Sequence, residues 1–243
     1  MRLLVVLPTY NEVLNVETML RTLRSVVPAA DVLVVDDASP DETGDAAERV
    51  AEELGRVSVL RRPGKSGLGS AYRAGFSWGI EHGYDTFVEI DCDFSHDPAA
   101  LPSLLAAAER YEVVIGSRYV PGGHIPQWKL SRRLLSRGGN QYASMMLGLG
   151  VADSTAGYRV YSRSALEKID YQSVHADGYG FQIEMTYRAR RGGATITEVP
   201  ISFGDRLRGE SKMSTNIVYE ALWLVTKWGL QRPWRRRRSA ASS

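Results

Sequence analysis

Thr86–Phe87–Val88–Glu89–Ile90–Asp91–Cys92–Asp93–Phe94–Ser95–His96–Asp97–Pro98 starts as an apolar run and ends in a cluster of acids. The run suits a strand covered on both faces, and Asp97 and Pro98 supply the N-cap and first position of a following helix. Alternate side chains of extended backbone share a face, so Asp91 and Asp93 are expected to point at one object. Two carboxylates that close repel unless positive charge lies between them. A hard divalent cation meets that need, because Mg²⁺ is held by carboxylate and substrate phosphate oxygens with some water retained. Alone, a D-x-D is as well explained by a capped turn and a solvated acid. Its meaning rests on what the other strand ends carry.

Outward from this stretch the chain repeats one theme. Residues 3–7 read as a buried strand stopped by Pro8, with Thr9–Tyr10–Asn11–Glu12 leading into a helix over 12–26. Residues 32–35 are a second strand, ending at Asp36–Asp37, and Ala38–Ser39–Pro40–Asp41 starts a second helix. Residues 57–60 are a third strand, followed by a basic, glycine-rich loop over 61–69 and a helix through Trp78. After the opening stretch come a helix to about Glu109 and a strand over 113–116 that ends at Ser117–Arg118. Strands alternating with helices predict an α/β chain with a mostly parallel, doubly wound, Rossmann-like sheet and helices on both faces. Ligands of such sheets gather outside the carboxyl ends of the strands. The polar clusters at Thr9–Glu12, Asp36–Asp37, Asp91–Asp93 and Ser117–Arg118 all fall there, which predicts a nucleotide-type site.

Two tempting motifs fail. Gly64–Lys65–Ser66 ends like a P-loop, but Val59 stands where its first glycine belongs. Gly67–Leu68–Gly69 has Tyr72 at the third glycine position of a dinucleotide fingerprint. Beyond Arg118 the pattern predicts a Gly/Pro loop over 119–128, a helix over 131–147 with Arg132, Arg133 and Arg137 at its start, a helix opened by Gly178, and a strand over 195–203. A polar loop over 204–214 and an amphipathic helix over 215–230 follow. We expect one catalytic domain over 1–214 and an appended helix and basic tail over 215–243.

The 243 residues, 44% of them hydrophobic, are ample for a sizeable core. A formal charge of +2 gives no reason to expect nucleic acid as a partner, but the basic residues are uneven, with Arg232 and four arginines at 235–238. An apolar, tryptophan-containing helix followed by arginines has the composition of an element lying on an anionic membrane surface. No apolar run nears the ~18–20 residues needed to span a bilayer, so peripheral attachment is expected. Cys92 is the only cysteine, which excludes an internal disulfide and fits a reducing compartment. It is expected to turn its small side chain to the core.

Val6–Leu7–Pro8–Thr9–Tyr10–Asn11–Glu12, Asp36–Asp37–Ala38–Ser39–Pro40–Asp41, Asp91–Cys92–Asp93 and Gly116–Ser117–Arg118–Tyr119–Val120 resemble the inverting GT-A glycosyltransferases. Asp153–Ser154–Thr155–Ala156–Gly157–Tyr158–Arg159, Phe181–Gln182–Ile183–Glu184 and Gly209–Glu210–Ser211–Lys212–Met213 narrow the resemblance to polyprenol (dolichol) monophosphate mannose synthases. The resemblance implies a GT-A fold and transfer of mannose from GDP-mannose to a polyprenyl phosphate, at the cytoplasmic membrane face. It implies that Pro8, Tyr10, Glu12, Val35, Asp37 and Cys92 border the donor, and that Asp91 and Asp93 hold Mg²⁺ or Mn²⁺ against its diphosphate. Ser95 stands at a third metal position often filled by glutamine in relatives. Arg206 and Lys212 would grip the diphosphate, and Arg118, Arg132 and Ser136 would receive the acceptor phosphate, with Asp93, Arg118 and Arg132 central to catalysis. Membrane-spanning segments of some relatives have no counterpart here, so attachment would be peripheral or through an anchoring partner protein.

The chemistry follows from the residues. Displacing a nucleoside diphosphate leaves concentrated negative charge, which a Lewis acid and cationic side chains stabilise. A phosphate monoester acceptor, with a second pKa of about 6, is already an anion and needs arginine more than a base. A sugar-hydroxyl acceptor would need a base, for which Asp97, Asp153 and Glu184 are candidates. UDP-glucose as donor, and a non-catalytic nucleotide-binding scaffold, are the remaining alternatives.

Overall fold

A computed structural model describes residues 2–204 and 215–231, the first five of the latter as backbone only. Seven strands form one sheet: β1 (Leu3–Thr9), β2 (Asp31–Asp36), β3 (Val57–Arg61), β4 (Thr86–Glu89), β5 (Val113–Ser117), β6 (Arg159–Ser162) and β7 (Ile196–Pro200). Their order is β3-β2-β1-β4-β6-β5-β7. All pairings are parallel except those of β6, which runs antiparallel to both β4 and β5.

The strands are apolar on both faces because both faces are covered. In β1, Leu4 and Val6 point into one core and Val5 and Leu7 into the other. The second core is closed by α1 (Val13–Val26), α2 (Thr43–Leu54) and α4 (Leu101–Ala108). The first is closed by α3 (Leu68–Glu81), α5 (Leu130–Leu147), α6 (Arg163–Ile169), α7 (Gly178–Arg191) and α8 (Thr215–Gln231). Ala221 and Val225 of α8 are buried, Trp228 stacks on Tyr187 with ring centroids 6.3 Å apart, and Tyr142 and Thr226 share a 2.7 Å hydroxyl hydrogen bond. The opposite flank of α8 leaves Trp223 and Leu230 exposed.

The opening stretch departs from the expectation in one respect. β4 ends at Glu89, where its pairing with β1 and β6 stops, and Asp91–Phe94 turn instead of continuing extended. Phe94 has φ +59°, and Asp97 caps a single 3₁₀ turn by accepting from Ala99 N at 2.9 Å. Cys92 does turn its side chain into the core. The antiparallel β6 and the short α6 were not expected. β6 has four residues and begins with Arg159, whose charge hides a strand from any apolar pattern. That arginine is fully buried, its N–H groups donating to Ala156 O, Ser154 O, Gln182 O, Tyr161 Oη and Thr186 Oγ1.

Close approach of α3 to the sheet depends on Gly75 and Gly79. A Cβ on Gly75 would stand 2.4 Å from Val6 Cγ1, and one on Gly79 2.5 Å from Phe87 Cε1. Gly75→Ala is therefore expected to destabilise the chain by about 1–3 kcal/mol through overpacking, despite alanine's better helix propensity. Urea unfolding followed by circular dichroism checks this.

Candidate active site

The segments leaving β1, β2, β4 and β5 open on one cavity of about 670 Å³. Pro8, Tyr10, Glu12 and Asp37 form one wall. Lys65 of the glycine-rich loop places its Nζ 4.4 Å from the centre of the Tyr10 ring. Asn15 Nδ2 donates to Glu12 at 2.9 Å, and Arg62 Nη1 donates to Asp37 at 2.8 Å. Burial raises the Asp37 carboxyl above its ordinary pKa, and the Arg62 charge opposes that rise. Asp177 accepts from Gly69 N at 2.8 Å, so the loop is tied to the cavity rim at both ends. Val35 is placed otherwise than expected: its side chain is fully buried in the core under α3 and does not line the cavity.

Asp91 and Asp93 line the cavity together, with the backbone of Cys92 between them. Tyr72 Oη donates to Asp91 Oδ1 at 3.2 Å. Asp93 Oδ1 accepts from Ser95 N at 3.0 Å and from the Ser95 hydroxyl. Ser95 thus orients Asp93. Among the described residues no group of three or more His, Cys, Asp or Glu is placed to hold a metal. Two carboxylates on a cavity wall nevertheless suit a hard cation whose other ligands come from a diphosphate and water.

His96, 2% exposed, has its imidazole pushed down to about 4, chiefly by burial, with Asp93 opposing, so it is neutral at pH 7. Glu89, near the end of β4, is fully buried, and burial raises its carboxyl to about 8 against the pull of Arg159 and Gln182.

Arg118 and Arg132 reach the same cavity. Arg118 is buried, its Nε and Nη2 donating to the two Asp153 carboxylate oxygens at 2.7 and 2.6 Å, and Nη2 also to Thr155 at 2.7 Å. Burial opposes both charges, but each holds the other: Asp153 is lowered and Arg118 raised. Arg132 is exposed and lies 3.8 Å over the Trp128 ring, a cation–π contact that fixes its stem. Ser136, one turn further along α5, accepts from Tyr119 Oη at 2.7 Å and is not among the residues lining the cavity. Arg206 and Lys212 lie outside the described residues.

The expected base candidates all hold structural positions. Asp97 caps a turn, Asp153 pairs with Arg118, and Glu184 accepts from Arg188 Nε and Ala176 N. Residues given no site role beforehand include Trp128, His96, Gln182, Asp177 and Phe203, all lining the cavity. Trp128 had a legible signal, an aromatic four residues before a candidate arginine.

A mostly parallel sheet whose carboxyl edge brings paired acids and arginines into one cavity is the architecture of a GT-A glycosyltransferase. The chain belongs to glycosyl transferase family 2, whose model matches residues 4–170. It is 53% identical over 234 residues to undecaprenyl-phosphate mannosyltransferase of Micrococcus luteus, covering 96% of each chain. It is 46% identical over 232 residues to polyprenol monophosphomannose synthase of Mycolicibacterium smegmatis, covering 95% of this chain and 88% of the relative. Glucosyl-3-phosphoglycerate synthase from Mycobacterium tuberculosis, solved with Mn²⁺ and UDP-glucose, shares the fold with a TM-score of 0.66 at 20% identity, covering 93% of this chain and 78% of that one.

Asp153→Asn is expected to lower stability at pH 7 by about 3–5 kcal/mol, because it leaves the Arg118 charge buried without its counterion. A carboxyl lowered by folding contributes stability above its unfolded pKa of about 3.9 and loses it as pH falls through the lower folded value. The difference between variant and wild type should therefore shrink towards acid pH, as read from denaturant midpoints across a pH series.

Proposed function

We propose that the chain transfers mannose from GDP-mannose to a polyprenyl phosphate, with inversion, at a membrane surface. The observation that carries this reading is the single cavity that Asp91, Asp93, Arg118 and Arg132 all line. The names of the two curated relatives support mannose and a polyprenyl phosphate acceptor. Mn²⁺ beside a nucleotide sugar in a structure of the same fold supports a divalent cofactor, Mg²⁺ or Mn²⁺.

Such a cation supplies Lewis-acid stabilisation of the departing diphosphate. Asp91 and Asp93 would hold it, and the hydrogen bonds from Tyr72 and Ser95 keep their oxygens aimed. Pro8, Tyr10, Glu12 and Asp37 would border the nucleoside. Arg206 and Lys212, from the loop after β7, would add positive charge at the diphosphate. Arg132 presents a planar fork to the acceptor phosphate, and Arg118, held in place by Asp153, borders the same cavity without needing to reorient. The acceptor arrives ionised, so no residue need remove a proton. One face must be open to a lipid and the other to a soluble nucleotide.

The first two turns of α5 supply a lipid-facing element. Leu130, Leu134 and Leu135 are exposed beside Lys129, Arg132, Arg133 and Arg137. The sequence from 113 to 152 contains no aspartate or glutamate. No helix among the described residues is long and apolar enough to cross a membrane. Apolar side chains set among arginines at the cavity mouth suit peripheral contact with anionic lipid, at about 1 kcal/mol per basic residue near the surface. The basic tail, with Arg232 and 235–238, would add to it.

Purified protein, divalent metal and undecaprenyl phosphate should turn over GDP-mannose in a panel of nucleotide sugars. Asp93→Asn should lower kcat at least about 100-fold with an unchanged circular dichroism spectrum, a loss of about 2.7 kcal/mol in transition-state stabilisation. Full turnover in excess chelator, or preference for UDP-glucose, would overturn the metal role or the donor respectively. Leu134→Asp with Leu135→Asp should weaken binding to phosphatidylglycerol vesicles by about tenfold or more, given about 1.5–3 kcal/mol per buried leucine. Turnover of a short, water-soluble polyprenyl phosphate should be spared.

A further inference from the structure

The two arginines that would meet the acceptor phosphate are held in different ways. Arg118 donates to Asp153 through Nε and Nη2, and Nη2 donates to Thr155 as well. Its planar fork is therefore filled and its charge is paired. Arg132 is exposed on the first turn of α5, and its guanidinium carbon lies 3.8 Å from the centre of the Trp128 ring. A ring face attracts a cation without occupying its N–H donors or neutralising its charge. The segment from 113 to 152 supplies no local carboxylate to fill that fork.

Trp128 is itself firmly placed. It stands one residue before Lys129, the N-cap of α5, so its contact with Arg132 staples the incoming loop to the first turn of the helix. Its ring meets Phe203 edge-on, with centroids 5.6 Å apart, and Phe203 in turn meets His96 edge-on at 5.0 Å. The Arg118 guanidinium carbon lies 5.7 Å from the same indole, so one ring borders both cations. Trp128 is 8% exposed, and its Nε1 is buried without a hydrogen-bond partner. An orphaned buried donor is a cost that phenylalanine or leucine would avoid. What the indole adds is the ring face that attracts cations best.

We propose that Trp128 is a positioning residue for the acceptor: its indole face holds the Arg132 guanidinium at the cavity with the N–H donors free for the acceptor phosphate. This rests on the polyprenyl phosphate reading above. A long exposed side chain left free gives up its rotamer freedom when a ligand arrives, whereas one already laid on a ring has less to lose. Arg118 then supplies a fixed charge and Arg132 the open fork.

The test uses the full chain with Mg²⁺, GDP-mannose and a short, water-soluble prenyl phosphate. It compares wild type, Trp128→Leu, Trp128→Phe, Arg132→Met and the double variant Trp128→Leu/Arg132→Met. Trp128→Leu should raise the KM for the prenyl phosphate about five- to tenfold, with kcat and the calorimetric affinity for GDP within about twofold of wild type. Trp128→Phe keeps a ring face and should raise that KM only about two- to threefold. Arg132→Met should raise it about tenfold or more, and adding Trp128→Leu should then change it by less than about twofold, the coupling expected of a ring that acts through the arginine. Loss of packing alone would carry over undiminished into the double variant. If Trp128→Leu does not fold, as read by circular dichroism, Trp128→Phe with and without Arg132→Met completes the same cycle. Independent losses in the cycle, an unchanged acceptor KM on losing the indole, or an equal loss of GDP affinity would overturn the role of Trp128 alone. Wild type that ignores the prenyl phosphate and transfers to a sugar hydroxyl would overturn the acceptor reading, and this inference with it.

Discussion

The buried pair of Arg118 and Asp153 ties together the elements that bring Arg118 to the cavity. Arg118 leaves the end of β5, and its backbone N–H, Nε and Nη2 all donate to Asp153. The segment carrying Asp153 is gripped from two more directions. Glu198 of β7 accepts from the backbone N–H groups of Ala152 and Asp153, and Asn140 of α5 accepts from Ser154 N and donates to Thr155. A charge pair this deep is a weak source of net stability, because desolvation offsets much of its attraction. What it secures is geometry: β5, β7 and α5 all bond the segment from Ala152 to Thr155, and Arg118 is held by the carboxylate at its centre.

The other wall follows a different logic. Asp36, Asp37, Asp91 and Asp93 all collect at the carboxyl edge of the sheet, where like charges are unfavourable. Asp36 accepts from the hydroxyls of Thr9 and Ser39, and Asp37 has Arg62 beside it. Asp91 and Asp93 receive hydrogen bonds from Tyr72 and Ser95. Hydroxyl and amide donors aim the oxygens of that pair, which suits a place where a cation is to be shared with a ligand.

The parallel half of the fold was readable because its strands are continuous apolar runs ended by polar clusters. Chain order alone then put Tyr10, Asp37, Asp91 and Arg118 at one edge. The rest was hidden for identifiable reasons. β6 is short and carries a buried arginine, so its charge argued against a strand. Val35 precedes Asp36, and only the pleat decides that its side chain goes under α3 and not towards the cavity. Ser136 and Arg132 lie a turn apart on α5, yet only the arginine borders the cavity. Gln182 and Glu89, 93 positions apart, meet only because α7 packs against β4.

The reversed strand has a further consequence for how the cavity is built. Six strands bring their carboxyl ends to the rim, but β6 starts there and runs away from it. The chain from Asp153 to Gly157 therefore approaches the rim as a lead-in, not as an exit loop. One inverted strand gives the site an extra length of backbone, anchored on both neighbours, where a wholly parallel sheet would need a long excursion across open solvent. That is how a compact chain furnishes walls for two substrates of opposite character.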